Sequence, residues 1–257
     1  MNYWHMSGAG NTFVVVDVRG KQLDLQKLAI ELCDRTGADG LMAADDSSIA
    51  DFRLHFYNSD GLRGEMCGNG ARCVCRFAHD HGIAGEEMTV QTDAGLVYAW
   101  RLRQDYYRIQ LNLPSVLEQN RKIGIAYVEL GDPGIPHGVM ELPDLDWSKK
   151  QEYLAYARQL RYDPAFPKGA NINFYTRIDD RTVRLLTYER GVEDYTLACG
   201  TGSASVALVL WKAGNLSDGI LKVENPGGVL TVALQQHQGQ LQKLLLEGPV
   251  EILSIQK

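Results

Sequence analysis

The order of apolar and polar residues predicts a chain in which short strands alternate with a few helices. Phe13 to Asp17 is a short, mostly β-branched apolar run, typical of a buried strand. Leu25 to Cys33 has apolar residues at helical spacing and is followed by Gly37, a residue type that commonly ends helices. Residues 52–57 alternate between apolar and polar side chains, which predicts a strand that stops at the turn 58–61.

The second half of the chain repeats this order. A predicted helix at residues 147–160 is followed by predicted strands at 171–175 and 182–188. Two cysteine-led blocks, which begin at Cys67 and Cys199, each precede an apolar segment with helical spacing. Ordered pairs of similar segments indicate a duplicated α/β unit, so we expect an N-terminal domain over residues 1–113 and a C-terminal domain over residues 114–247.

Composition narrows the class of protein. A chain of 257 residues with 45% hydrophobic and 23% charged residues is typical of a globular protein. Its net charge of −6, without a block of Lys or Arg, argues against a nucleic-acid partner. The longest apolar runs are too short to span a membrane, and no secretory signal is visible. Five cysteines in a chain without a visible signal predict a reducing compartment, so we expect a cytoplasmic protein whose cysteines are free thiols.

The two cysteine blocks are the strongest candidates for chemistry. Cys67 and Cys199 each stand before a glycine-containing turn at the start of a predicted helix. Helix N-termini present unpaired N–H groups and a positive dipole end, which favour a thiolate and can bind a carboxylate. One thiolate can remove an α-proton while the second thiol returns a proton to the opposite face, as a racemase or epimerase requires. A single Cys-Gly pair is more often a buried structural feature, but a matched pair in a repeated frame favours catalysis.

Several polar residues are candidate partners of these thiols. Glu189 and Arg190 end a predicted strand, and His137 ends a predicted turn. Glu189 or His137 can tune a thiol, whereas a guanidinium can bind a second carboxylate through two hydrogen bonds. Each also has an ordinary structural explanation, such as a surface ion pair or a structural histidine. The candidate amides are Asn11, Asn58, Asn69 and Asn171.

The remaining cysteines indicate no metal or nucleotide site. Cys33, Cys73 and Cys75 lie in predicted helices and are expected in the core, and the spacing of Cys67, Cys73 and Cys75 does not match a zinc motif. The turn 68–70 lacks the Lys-Ser/Thr of a phosphate-binding loop. We therefore expect neither a metal ion nor a cofactor.

Taken together, these motifs resemble the diaminopimelate epimerase family. The resemblance covers essentially the whole chain and rests on the segments 8–17, 57–61, 66–73, 136–137, 171 and 188–202. It implies an α/β fold of two pseudo-symmetric domains, each a mixed β-sheet wrapped around a central helix, with the active site in the cleft between them. It also implies that residues 248–257 return to the first domain and that the protein is a homodimer.

The same resemblance implies roles for individual residues. Cys67 and Cys199 would be the acid/base pair, with His137 and Glu189 beside them. The reacting carboxylate would be held at the two helix starts by Gly68, Asn69, Gly200 and Thr201. The distal end of the substrate would be held by Asn11, Asn58, Asn171 and Arg190. The implied reaction is the interconversion of LL- and meso-2,6-diaminopimelate in lysine and peptidoglycan precursor biosynthesis. The substrate is a small-molecule amino acid with a second carboxylate, and neither a nucleic acid nor a membrane is expected as a partner.

Two positions depart from the family's pattern. Ile135 stands where the family commonly has Asn, and Gly40 stands where it often has Gln. A racemase or epimerase of another amino acid on the same scaffold is therefore an alternative. A non-catalytic protein with a ligand-binding cleft is another, and a phenazine-pathway type of isomerase is disfavoured because it has an acidic base where Cys67 stands. The sequence leaves open which thiol is ionised at rest.

Overall fold

The computed structural model of the chain describes residues 2–122 and 124–256. The chain divides into two compact units: an N-terminal unit, Met1–Gln110 with Glu247–Lys257, and a C-terminal unit, Leu111–Leu246. Its helices and strands are β1 (Tyr3–Gly8), β2 (Asn11–Asp17), α1 (Leu25–Thr36), β3 (Gly40–Asp45), β4 (Phe52–Asn58), β5 (Arg63–Gly64), α2 (Gly68–Asp80), β6 (Glu87–Thr92), β7 (Gly95–Arg103), β8 (Tyr106–Leu111), β9 (Pro114–Lys122), β10 (Ile125–Leu130), β11 (Ile135–Glu141), α3 (Lys150–Arg161), β12 (Asn171–Asp179), β13 (Thr182–Glu189), β14 (Asp194–Tyr195), α4 (Gly200–Lys212), β15 (Ile220–Asn225), β16 (Gly228–His237), β17 (Gln240–Pro249) and β18 (Glu251–Gln256).

The N-terminal unit is a mixed sheet with a helix on each side. β1 and β2 form an antiparallel hairpin, β2 runs parallel to β3, and β3 runs antiparallel to β4. β4 runs parallel to β6, which continues through β7 into β8. α2 packs against β1, β2 and β3, and α1 packs against β2, β3 and β4. Because β2 is covered on both faces, its apolar run is continuous rather than alternating.

Local signals fix the ends of α1 as predicted. Asp24 is the N-cap residue, and its carboxylate accepts a hydrogen bond from the Lys27 N–H at 3.1 Å. Gly37 ends the helix with φ of 71°, and its N–H donates to the Cys33 carbonyl at 2.8 Å. A residue with a side chain rarely adopts that φ, so glycine is the natural stop.

The C-terminal unit has the same strand pairing. β10 and β11 form the hairpin, β11 runs parallel to β12, and β12 runs antiparallel to β13. β13 then runs parallel to β15, which pairs with β16. α4 takes the position of α2 along the chain and is almost entirely buried, while α3 packs against β12 and β13. The predicted α/β fold with two similar units is confirmed.

Each unit has one further strand on its first hairpin. β18 pairs antiparallel with β1, and β9 pairs antiparallel with β10. Just before β18, the carbonyl of Val250 accepts a hydrogen bond from the Arg76 guanidinium of α2. β18 therefore completes the N-terminal unit.

Two sequence-based predictions need correction. The turn predicted to end at His137 is shorter, because β11 begins at Ile135 and pairs it with Leu130. His137 is therefore a strand residue. The predicted helix 147–160 begins as the 3₁₀ turn Trp147–Lys149 before α3, since the Asp146 side chain caps that short turn at the Ser148 N–H.

Candidate active site

The matched cysteines both stand immediately before a helix. Cys67 is the N-cap residue of α2 and Cys199 is the N-cap residue of α4, and both have extended backbone conformations. The Cys199 sulfur accepts a hydrogen bond from the Gly202 N–H at 3.3 Å and lies 3.4 Å from the Thr201 hydroxyl oxygen. Donors of this kind at a helix start favour the thiolate over the thiol. Cys199 is buried and Cys67 is half-buried.

In the N-terminal unit, a directed chain of hydrogen bonds joins two of the predicted amides. Arg72 is fully buried, and its Nη2 donates to Asn69 Oδ1 at 2.9 Å. Asn69 Nδ2 donates to Asn11 Oδ1 at 2.7 Å, and Asn11 Nδ2 lies 3.3 Å from Asp39 Oδ2. Because a guanidinium only donates, Arg72 fixes the orientation of both amides.

Sequence reasoning missed Arg72. Its signal was the presence of two arginines, Arg72 and Arg76, in the run Ala71 to Ala78, whose other residues suit a buried helix. A charge at such a position is rarely buried without a partner. Burial lowers the pKa of Arg72 from its ordinary value, and the thiols of Cys73 and Cys67 oppose this shift electrostatically.

Asn58 and Gly40 face each other across β4 and β3. Asn58 is exposed, and its side-chain Nδ2 donates to the Leu62 carbonyl at 3.2 Å. A Cβ on Gly40 would lie 2.6 Å from the Tyr57 carbonyl oxygen and 2.9 Å from the Phe56 ring. Close packing of β3 on β4 therefore explains why this chain has glycine at position 40.

In the C-terminal unit, the predicted residues lie at one edge of the sheet. His137 of β11 is the direct neighbour of Asn171 of β12. Asn171 Oδ1 accepts from the Arg190 N–H at 2.8 Å, and its Nδ2 donates to the Pro136 carbonyl at 3.2 Å. The Arg190 guanidinium is exposed and donates to the Lys168 carbonyl at 3.0 Å. Ile135, at the start of the same edge, is 41% exposed.

Burial controls the ionisation of the two predicted acid/base auxiliaries. His137 is fully buried, which lowers its pKa to about 3, and the positive charge of Arg190 acts in the same direction. Burial raises the pKa of Glu189, with the side chain of Thr196 opposing the shift. His137 is thus neutral at ordinary pH, and the carboxylate form of Glu189 is disfavoured.

The structure brings the predicted residues together within each unit. In the N-terminal unit, Asn11, Gly40 and Asn58 lie at the same ends of neighbouring strands, and Asn69 at the start of α2 contacts Asn11. In the C-terminal unit, a Cβ on Gly202 would lie 2.3 Å from Asn173 of β12, which places the start of α4 against the strand that begins with Asn171.

No group of three or more His, Cys, Asp and Glu side chains within residues 2–122 and 124–256 has the arrangement of a metal site. In the same part of the chain, no helix is long and apolar enough to cross a membrane.

Comparison with known proteins identifies the family. The family model "Diaminopimelate epimerase" matches residues 3–108 and 131–253. The chain is 34% identical to the diaminopimelate epimerase of Aquifex aeolicus over 270 residues, which covers 97% of this chain and 95% of that protein. It is 33% identical to the diaminopimelate epimerase of Chlorobaculum tepidum, with 95% and 96% of the two chains covered.

Solved structures share the fold at lower sequence identity. A PhzF-family phenazine biosynthesis protein from Bacillus anthracis has a TM-score of 0.74 and 14% identity, with 99% of this chain and 97% of that chain covered. A probable proline racemase from Agrobacterium radiobacter K84 has a TM-score of 0.67 and 17% identity, with 100% and 92% covered. The matched cysteine-capped helices in two repeated units, the match to the family model and the near full-length relatives agree, and the chain belongs to the diaminopimelate epimerase family.

Proposed function

We propose that this protein is an isomerase that interconverts LL- and meso-2,6-diaminopimelate by proton transfer at an α-carbon. The observation that carries the proposal is the pair of cysteines, each the N-cap residue of the buried helix in one of two repeated units. The chain's membership of the diaminopimelate epimerase family selects the substrate.

The proposed chemistry uses one thiol from each unit. In one direction, the thiolate of one cysteine takes the α-proton, and the thiol of the other gives its proton to the opposite face of the carbon. One C–H bond breaks and another forms, one S–H bond forms and another breaks, and no electron is gained or lost overall. In the reverse direction, Cys67 and Cys199 exchange roles. At Cys199, the Gly202 N–H and the Thr201 hydroxyl group lie where they stabilise the thiolate.

We propose that the helix starts bind the reacting carboxylate through Gly68, Asn69, Gly200 and Thr201. His137 and Glu189 would assist the two thiols. The distal amino-acid group would be held by Asn11, Asn58, Asn171 and Arg190. The exposed guanidinium of Arg190 supports its place in this set, because it can still bind a carboxylate in bidentate geometry. The Asn171 amide is hydrogen-bonded to the backbone on both sides, which supports a role in shaping the Arg190 loop.

Isotope exchange tests this function. With LL-diaminopimelate in deuterium oxide, we expect deuterium at the α-carbon of the product and formation of the meso isomer. Cys67→Ala and Cys199→Ala should each abolish epimerisation, since either change removes one of the two proton carriers. Cys33→Ala is the matched control, because Cys33 is a buried thiol of α1 outside the proposed site and should be dispensable. Absence of exchange with the unmodified protein would reject the proposal.

A racemase or epimerase of another amino acid is the second candidate. It is favoured by Ile135 and Gly40, which stand where the family commonly has amide side chains. Chiral chromatography of a panel of amino acids, with both diaminopimelate isomers included, separates the two functions. Inversion of another amino acid without turnover of diaminopimelate would select the second candidate.

We also propose that the protein works in the cytoplasm as a homodimer. All five cysteines are free thiols, which supports a reducing compartment, and the family resemblance supports the dimer. Analytical ultracentrifugation tests the assembly, for which a monomer at micromolar concentration would be the contrary result.

A further inference from the structure

We propose that Asn173, held by Thr187, is a positioning residue that fixes His137 as the neutral tautomer with its proton on Nε2. The ring then presents a buried N–H donor. The tautomer follows from the structure of the C-terminal unit alone. The identity of the group that accepts from this N–H rests on the proposed function.

The orientation of the Asn173 amide is fixed by its surroundings. Asn173 is fully buried, and its Nδ2 lies 3.0 Å from the Gly138 carbonyl oxygen and 3.3 Å from the Asn171 carbonyl oxygen. Carbonyl oxygens only accept hydrogen bonds, so the atom between them is the amide nitrogen. On the other side, the Thr187 hydroxyl donates to Asn173 Oδ1 at 3.0 Å. A flipped amide would place its oxygen against two carbonyl oxygens.

This orientation decides where the proton of His137 lies. Asn173 Nδ2 is 3.2 Å from His137 Nδ1, and because the amide nitrogen donates, Nδ1 is the acceptor. Burial and the charge of Arg190 keep the ring uncharged, with a pKa lowered to about 3. A neutral ring that accepts at Nδ1 carries its one proton on Nε2.

The other ring nitrogen is available to a ligand. His137 Nε2 is buried and has no hydrogen-bond partner among residues 2–122 and 124–256. An unsatisfied N–H in the interior is costly, and a catalytic role is one of the explanations for keeping such a group. Given the proposed function, this N–H stabilises negative charge on a thiolate or carboxylate during proton transfer.

The same pair of side chains also touches the turn that begins at Cys199. A Cβ on Gly202 would lie 2.3 Å from Asn173 Oδ1, 3.0 Å from Thr187 Oγ1 and 3.3 Å from Cys199 Cβ. Asn173 and Thr187 therefore pack directly beneath the first turn of α4. The Gly202 N–H of that turn is the donor to the Cys199 sulfur. The side chains of Asn173 and Thr187 therefore position both the His137 ring and the donor to the Cys199 sulfur.

Nitrogen NMR of histidine-labelled protein tests the tautomer without reference to activity. We expect the His137 signals to show a protonated Nε2 and an unprotonated Nδ1, unchanged from about pH 5 to about 8. A His137→Gln variant identifies which signals belong to this ring. A proton on Nδ1, or a titration within that range, would overturn the proposal.

Asn173→Asp is the informative variant. A carboxylate in place of the amide accepts from Nδ1–H, so the proton should move to Nδ1 or the ring should become charged. We expect kcat to fall by about tenfold to a hundredfold with a smaller change in KM. Asn225→Asp is the matched control: Asn225 is a buried asparagine of the same unit whose Nδ2 donates to the Val223 carbonyl, and the His137 signals should not change.

A second variant covers the case in which Asn173→Asp does not fold. Thr187→Val removes the donor that holds Asn173 Oδ1, and the Nε2-protonated tautomer should no longer be uniform. If Thr187→Val, and Asn173→Asp where it folds, keep the His137 signals of the unmodified protein, Asn173 and Thr187 do not position the ring. If instead the unmodified protein shows the expected tautomer but no exchange with diaminopimelate, the proposed function fails while the positioning role stands.

Discussion

At the scale of single residues, the two cysteine blocks differ most at the fifth position after the cysteine. Arg72 occupies this position in the first block, and Ala204 occupies it in the second. The guanidinium is fully buried and interacts electrostatically with Cys67 and Cys73. A buried positive charge favours the thiolate form of a nearby cysteine. The repeat is therefore symmetric in its backbone and asymmetric in its charge.

Replacement of the buried charge tests this asymmetry. In Arg72→Met, we expect alkylation of Cys67 by iodoacetamide at about pH 7.5 to slow several-fold, because the thiolate loses its counter-charge. Cys199 lies in the other block and serves as the reference thiol in the same sample. Peptide mass spectrometry at timed intervals gives both rates. An unchanged ratio of the two rates would show that Arg72 does not support the Cys67 thiolate.

Glu189 gives a pH-dependent prediction for stability. Burial raises its pKa in the folded state, so the folded protein holds this proton more tightly than the unfolded chain. The stabilising contribution is full below the pKa of the unfolded chain. It is lost as pH rises through the higher pKa of the folded protein, by about 1.4 kcal/mol for each pH unit that separates the two pKa values. Glu189→Gln removes this loss, so the variant should gain free energy of unfolding relative to the unmodified protein as pH rises above the ordinary pKa of a glutamate, about 4.3. Urea unfolding at several pH values measures the difference, and a constant difference would contradict it.

The sequence identifies residues within a short motif more readily than residues that act through contacts. Cys67 and Cys199 stand out because each lies beside its own glycine turn. Asn173 has no such signal, although it lies two positions after Asn171 in the same strand. Its proposed role depends on contacts with His137 and Thr187 on the two neighbouring strands. The residues of one strand do not show which strands will pair with it. Arg72 was missed for a similar reason, because its role follows from burial and from its contact with Asn69.

At the scale of elements, the second glycine after each cysteine illustrates a difference between α2 and α4. A Cβ on Gly70 would meet the terminal methyl carbon of Met42, the flexible end of a long side chain. A Cβ on Gly202 would meet the amide oxygen of Asn173 and the hydroxyl of Thr187, which are held by hydrogen bonds in a buried network. The glycine of α2 therefore packs against a side chain that can move, whereas the glycine of α4 packs against side chains that hydrogen bonds hold in place.

Alanine at these two positions should act differently. In Gly70→Ala, movement of Met42 and the gain of about 1 kcal/mol in helix propensity should leave the free energy of unfolding little changed. In Gly202→Ala, displacement of fixed groups should cost about 1–3 kcal/mol and disturb His137. Urea unfolding of the two variants provides the matched comparison. Equal stabilities would indicate that the interior beneath α4 is as adaptable as that beneath α2.

The strength of local signals decides which elements were predictable. β2 and α1 combine a clear apolar pattern with a turn or a cap, and both were predicted close to their observed bounds. β3 was missed because its sequence, with Gly, Leu, Met and two Ala, has no β-branched residue. β9 was missed because its side chains are mostly polar. These strands are extended because of the neighbours they pair with, and their own propensities are weak.

At the scale of the whole molecule, duplication explains most of the strand pairing, and one extra strand in each unit completes it. Both units have the same hairpin, parallel and antiparallel connections in the same order. The extra strand beside the first hairpin has a different source in each unit. In the C-terminal unit it is β9, which directly precedes β10, whereas in the N-terminal unit it is β18, from the far end of the chain. The N-terminal unit, which contains Cys67, is therefore complete only when β18 has been made.

Removal of the last strand tests this dependence. Deletion of residues 251–257 leaves Val250 in place, with its buried side chain and the carbonyl that accepts from Arg76. It exposes the edge of β1, and because the side chains of β18 are mostly exposed, the loss is chiefly that of backbone hydrogen bonds, each with a net value of about 0.5–1.5 kcal/mol. We expect amide hydrogen exchange to accelerate in β1, with exchange in β12 and β13 unchanged. Deletion of residues 250–257 should have a larger effect, because Arg76 then loses its buried acceptor. Equal acceleration in both units would show instead that β18 stabilises the chain as one cooperative whole.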